Sequence, residues 1–196
     1  LGLMDALLPR AAAPFDAAPF EARVHPLLFV HRVEGLAPGL YALPRRDGVI
    51  ADLKAALRSD FTWEKPEGMP AHLPLYRLVE TDCRGIVRTV SCHQAIASDS
   101  SFALAMLAEF EPLVTAEAWR YRQLHWEAGM VGQSLYLEAE AAGFRGTGIG
   151  CFFDDDLHQL LGLEGAAFQS IYHFTVGRAA VDDRITTEPA YPGRGA

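Results

Sequence analysis

Three groups of residues in this chain have types and spacing that could do chemistry: a glycine run, an acidic run behind it, and a neighbouring Cys and His. In Arg145-Gly-Thr-Gly-Ile-Gly-Cys-Phe-Phe-Asp-Asp-Asp156, glycines at 146, 148 and 150 remove every second side chain. Such backbone can approach a flat ligand closely, or lie tight against a neighbouring element. A planar cofactor could rest there on main-chain amides; the plainer alternative is a tight connection between a helix and a strand. The run is not a dinucleotide fingerprint, because its glycines read G-x-G-x-G, residue 151 is Cys, and a helix is expected before it. It also lacks the Lys-Ser/Thr ending of a P-loop. Asp154, Asp155, Asp156 and His158 are metal-ligand types, but adjacent side chains diverge and no second cluster accompanies them, so a solvated helix start is expected. Cys92 beside His93 could be a thiol nucleophile and its base. On a strand the two point to opposite faces, so a buried structural Cys92 is expected instead. The histidines keep neither H-x-x-x-H nor C-x-x-C company, and no G-x-S-x-G elbow occurs. Without side-chain machinery, a cofactor that carries the chemistry is the consistent expectation.

The elements that must position these residues follow from periodicity. Residues 1–20 hold Pro9, Pro14 and Pro19 and allow a short helix at most, then an arm packed through Phe15 and Phe20. The continuous apolar run Leu27-Leu28-Phe29-Val30 makes 24–33 a strand covered on both faces. Residues 34–39 form a turn, 40–43 a second strand, Asp47-Gly48 another turn, and 51–58 a short helix. The prolines of 59–74 require a loop, with Phe61 and Trp63 as anchors or lid residues. Residues 85–92 read as a strand, and Asp99 or Ser98 as the cap of a helix over 102–110. The longest helix spans 117–142 and has two apolar stripes. Tyr121, Leu124, Ala128, Val131, Leu135, Ala139 and Ala142 make one; Trp119, Trp126, Met130, Leu137 and Ala141 make the other, with charged residues such as Glu127 between them. A helix of this kind is sandwiched between layers or subunits. Gly129 and Gly132 cost it about 1 kcal/mol each relative to Ala, which close helix contact would offset. A helix over 154–161 ended by Gly162 and a cleanly alternating strand over 169–177 complete the order.

The totals bound the class. The chain has 196 residues, half of them hydrophobic, which suits one ordinary globular domain. A formal net charge of -8 argues against nucleic acid as a partner. No apolar run is long enough to cross a bilayer and no signal peptide opens the chain, so no membrane association is expected. Three cysteines, odd in number and unpatterned, fit a reducing cytoplasm. The first residue is Leu1, which suggests a processed start or a piece of a longer chain.

In order, the chain carries Glu127-Ala128-Gly129, Gly132-Gln133-Ser134-Leu135-Tyr136, Gly148-Ile149-Gly150-Cys151-Phe152, Asp154-Asp155, Leu161-Gly162-Leu163 and 172–177. This order resembles the second half of the nitroreductase family of flavin enzymes, nearest the branch that oxidises azoline rings in modified peptides. Val30-His-Arg-Val-Glu-Gly-Leu-Ala-Pro-Gly-Leu-Tyr41 resembles a hairpin of that branch. The resemblance covers 24–178 and divides the chain into an arm (1–23), a nitroreductase-like domain (24–178) and a tail (179–196). It implies an α+β sandwich with a central antiparallel or mixed sheet flanked by helices and a long central dimer helix. It also implies FMN at the dimer interface, ping-pong electron transfer from NAD(P)H or a substrate, and a small-molecule or peptide substrate. By the same resemblance Thr147, Gly148, Ile149, Gly150 and Cys151 would bind the cofactor, with amides at Gly150-Cys151 nearest the reactive flavin nitrogen. Arg194, or else Arg178, would touch its phosphate.

Three features of the family are missing. The arginine- and serine-rich first helix has no counterpart, since only Arg10 and Arg23 stand in the first part of the chain. Glu21-Ala-Arg-Val-His-Pro26 replaces a proline-serine segment. Thr115 and Ala116 fall where the azoline-oxidising branch carries Lys-Tyr. Two expectations therefore stand together: an FMN oxidoreductase whose site is completed by a second chain or a tandem half, or a degenerate, non-catalytic half that serves dimerisation or substrate presentation. An unrelated soluble α+β domain is the third.

Overall fold

A computed structural model describes residues 1–186, 188 and 191. Its strands are β1 (Val24–Val30), β2 (Gly39–Ala42), β3 (Tyr76–Glu80), β4 (Phe102–Glu109), β5 (Arg145–Ile149) and β6 (Phe168–Gly177). Its helices are α1 (Gly2–Asp5), α2 (Val49–Ala56), α3 (Arg84–Val90), α4 (Ala95–Asp99), α5 (Glu111–Ala116), α6 (Arg120–Ala141) and α7 (Asp154–Leu161). The strands form one sheet in the order β3-β2-β1-β4-β6-β5, with every neighbouring pair antiparallel.

β1 and β4 sit in the middle of the sheet and are covered on both faces. On one face Leu28, Val30, Leu104 and Met106 meet Met4 and Leu7 of the N-terminal region and the α6 residues Leu124, Val131 and Leu135. On the other, Leu27, Phe29, Ala105 and Leu107 meet Leu53 of α2, Val87 and Val90 of α3, and Leu157 and Leu161 of α7. The result is a helix–sheet–helix sandwich with two cores. Each fully buried Leu or Val contributes about 1.5–3 kcal/mol, so the paired cores rather than local propensity hold the central strands.

That packing explains two departures from the sequence reading. Residues 102–109 are a strand, not a helix capped by Ser98 or Asp99. Ala, Leu and Met favour helices, but alternation of small Ala103 and Ala105 with large Leu104 and Met106 fits a strand between two layers. Residues 84–90 are a helix, not a strand. Cys83, Val87 and Val90, the buried residues, recur at helical spacing, and Ile86 is exposed. β3 is an edge strand that the sequence reading left in the open.

α6 runs along one face. Leu124, Ala128, Val131, Leu135 and Ala139 are buried, whereas Trp119 (49%), Trp126 (57%) and Leu137 (62%) of the second stripe are exposed. Gly132 makes room for the sheet rather than another helix: a Cβ there would lie 3.1 Å from the Tyr172 ring. Glu127 is buried, not solvent-facing. It ion-pairs with the buried Arg45 and accepts the Arg23 N–H at 2.9 Å and the Val24 N–H at 3.2 Å. Arg45 also donates to the Leu7 and Val24 carbonyls at 2.6 and 2.8 Å. The pair stitches the N-terminal region, β1 and α6 together, and removing one partner would cost about 3–5 kcal/mol by stranding the other charge.

Candidate functional site

β5 is the last strand of the sheet, paired on one side only, from Arg145↔Gly177 to Ile149↔His173. The glycine run is therefore itself an edge strand and its exit, not the helix-to-strand connection considered above. Glycine is a poor strand former, and the rings of the adjacent strand explain its use here. A Cβ on Gly146 would sit 2.8 Å from the Phe174 ring, and one on Gly148 would collide with the Tyr172 hydroxyl. Gly150 differs: a Cβ there would meet nothing within 4 Å.

The sequence-named residues thus separate. Thr147 is exposed on the edge strand, opposite Thr175. The Gly148 N–H donates to the Tyr136 hydroxyl of α6 at 2.8 Å. Ile149 is buried in the second core, so only its backbone is offered outward. Gly150 and Cys151 are exposed, and among the described residues their N–H groups donate to no protein acceptor. Two adjacent exposed donors, one with no side chain to block approach, fit the edge of a planar heterocycle with ring nitrogen and carbonyl acceptors, as a flavin has. Arg194 lies outside the described residues. Asp154–Asp156 occupy the exposed first turn of α7 with no side-chain cap bond, and no metal-holding cluster of His, Cys, Asp or Glu is found among the described residues.

Behind the two amides lies a polar system that the sequence did not reveal. Cys151 is bonded to Cys92, so Cys92 is neither free nor on a strand, and the odd cysteine is the buried Cys83. The sequence argument from unpaired cysteines to a reducing compartment falls with that pairing. Phe152 stacks flat on the His173 imidazole, centroids 4.3 Å apart and planes 9° apart. His173 lies between the Ser91 hydroxyl at 3.3 Å and the Ser170 hydroxyl at 3.1 Å. Burial pushes its pKa down to about 4, against a weaker pull from Asp154, so it is neutral near pH 7. His158 is lowered for the same first reason, and its Nε2 accepts the Ser170 N–H at 3.1 Å. The neutral His173 imidazole, held between two hydroxyls, is a positioning group here.

Three cavities of about 990, 550 and 330 Å³ lie elsewhere, around Leu57 and Arg120, around Leu28 and Phe102, and around Phe15 and Arg45. None of the three is lined by residues 147–151. The candidate amides follow β5, which packs against α6. The aromatic-rich stretch 61–76, which could have obstructed them, leads into β3 at the opposite edge of the sheet. There Trp63 packs near Tyr76, and Phe61 and Trp63 lie against the second core as anchors.

Residues 51–178 match the model of the Nitroreductase family. The chain belongs to the nitroreductase family. Solved structures of the fold agree. A protein of Anabaena variabilis assigned as a nitroreductase is 22% identical with a TM-score of 0.59, over 81% of this chain and 27% of that one. A Ralstonia eutropha counterpart is 15% identical with a TM-score of 0.58, over 92% and 72%. A chain of the E. coli microcin synthetase McbBCD complex, with truncated pro-MccB17 bound, is 14% identical with a TM-score of 0.57, over 91% and 62%. At these identities the likeness is one of fold. This nitroreductase-family chain spans only 27% of the first of them. No curated protein matches it. Among the described residues, no helix is long and apolar enough to cross a membrane.

Proposed function

We propose that this nitroreductase-family chain forms one wall of an FMN site, and that the working protein is an FMN-dependent oxidoreductase whose site a second chain or domain completes. The observation that carries this reading is the pair of exposed, unspent amides at Gly150 and Cys151 on the edge of the sheet. Bound FMN would supply the two-electron chemistry, taking electrons from NAD(P)H or a substrate and passing them on in ping-pong order. The chain's own residues hold and orient. The Gly150 and Cys151 N–H groups donate to the ring edge, Gly150 leaves space for it, and Thr147, Gly148 and Ile149 set the strand that aims them. Arg194 would meet the phosphate.

The exposed Trp119 just before α6, with Trp126 and Leu137 on it, supports a second copy, or a tandem half, as the closing body. The likeness to a synthetase complex with a peptide bound supports a modified peptide beside small molecules as the substrate class. The division into arm, domain and tail, and a cytoplasmic location, belong to the same proposal.

A degenerate, non-catalytic half is the second reading. It is favoured by one observation: Tyr136 already takes the Gly148 amide, and Tyr172 fills the space beside it. Substitution separates the two. Gly150→Val should abolish FMN binding without unfolding the chain, and Arg194→Ala should weaken it. An FMN affinity unchanged by Gly150→Val would refute the placement; no flavin bound by the unsubstituted protein would favour the second reading.

A further inference from the structure

The segment with the two free amides is tied to one turn at several points. Cys151 is bonded to Cys92 across a sequence separation of 59. The Gln94 side-chain amide donates to the Cys151 carbonyl at 3.2 Å, and the Phe153 N–H donates to the Val90 carbonyl at 2.8 Å. Phe152 stacks on His173, which Ser91 contacts in turn. Val90 ends α3, and Ser91, Cys92 and Gln94 belong to the connection between α3 and α4. Cys92 and His93 there hold φ of 55° and 58°, a left-handed conformation that two successive non-glycine residues keep only when surrounding contacts enforce it.

Of these ties the disulfide is the covalent one, and the one that solution redox state can open. Cys151 is exposed and Cys92 half-buried, so an attacking thiolate reaches the bond. Cys83 does not compete: it is buried, and burial, then the neighbouring Asp82, pushes its thiol up to about 11. In a reducing compartment, cysteine pairs of this kind are transient or sensing rather than structural.

We propose that Cys92–Cys151 is a reversible thiol–disulfide site whose state sets how tightly the backbone at 150–153 is held. The consequence for cofactor binding rests on the flavin reading above; the holding itself does not. The reductant is a dithiol, small or protein-borne. One of its thiolates attacks Cys151 Sγ, and Cys92 leaves as a thiolate and takes a proton. The reductant's second thiolate then displaces Cys151, which is protonated, and the reductant departs as its own disulfide. Two electrons and two protons pass from the dithiol to the cysteine pair. The hydrogen bonds from Gln94 and Phe153 and the ring stack remain, but they open and close on their own.

Alkylation after denaturation should find one free thiol per chain in the oxidised protein and three after dithiothreitol. Amide hydrogen exchange at Phe153, whose N–H is held by the Val90 carbonyl, should be roughly tenfold faster in the reduced protein. Cys92→Ser should exchange at the reduced rate in either buffer; should that variant fail to fold, reduced against oxidised wild type carries the comparison. Equal exchange in the two states would overturn the proposal, as would three free thiols in an oxidising glutathione buffer. FMN binding is measured separately on both states. An exchange difference with no flavin bound by either would support the redox site and overturn the flavin reading.

Discussion

A methyl group on Gly148 would collide with the Tyr172 hydroxyl, whereas one on Gly150 would point into open space. The two glycines look alike in sequence, and their difference is set by rings on β6 that no local pattern announces. Gly148→Ala should therefore destabilise the fold by about 1–3 kcal/mol, the usual cost of overpacking, read as a lower midpoint in urea. Gly150→Ala should leave that midpoint where it is. Equal loss in both variants would mean that the run is structural throughout and that Gly150 is not reserved for a ligand. The spacing of this site was legible in the sequence; the assignment of one glycine to packing and another to approach was not. Nor was the bond between Cys92 and Cys151, because expecting a strand at 85–92 put Cys92 in the wrong place. Tyr136, whose hydroxyl occupies the Gly148 amide, gave no signal beyond being one polar aromatic on a helix.

α7 and β6 were readable nearly to the residue, because the left-handed Gly162 that ends α7 and the alternation along β6 are local signals. α3 and β4 were exchanged in type, because β-branched residues fill a short helix and helix formers fill a strand buried on both faces. At this scale the buried histidines make a pH prediction. His173 has a folded pKa of about 4 against an ordinary 6.5, so between those values the unfolded chain binds a proton that the folded chain refuses. Stability from this residue is complete above pH 6.5 and falls as pH drops toward 4, by about 3 kcal/mol over the whole window. His25 and His158 are lowered by burial in the same sense. Glu109 acts further down. Burial alone would raise its carboxyl, but hydrogen bonds from His25, Arg46 and Arg23 hold it at about 2, so its contribution is lost between 4.5 and 2. The Tm should fall steadily on acidification from pH 6.5, and His173→Asn should flatten the first part of the curve. A Tm constant from pH 6.5 to 4 would contradict the buried neutral imidazoles.

For the whole molecule, the two-stripe pattern of α6 was the most informative sequence signal, and half of it remains unsatisfied within one chain. Leu124, Ala128, Val131, Leu135 and Ala139 of the inner stripe are buried; Trp119, Trp126 and Leu137 face outward. If a second copy covers them, Trp126→Glu with Leu137→Glu should shift the mass measured by light scattering to that of a monomer, with circular dichroism unchanged. A monomer before substitution would leave a different chain as the closing body. The family and the sandwich could be read from ordered short motifs, several of which hold a glycine in close contact with its surroundings, as at Gly132, Gly148 and Gly162. The phosphate grip could not, because no arginine cluster stands in the first part of the chain and Arg194 lies outside the described residues. The central claim is that the amides of Gly150 and Cys151 form one wall of a flavin site. The most direct measurement is titration of FMN into the assembled protein, followed by gel filtration with visible absorbance. The account predicts flavin co-eluting in near-stoichiometric amount, and its loss in Gly150→Val; colourless protein at saturating FMN would contradict it.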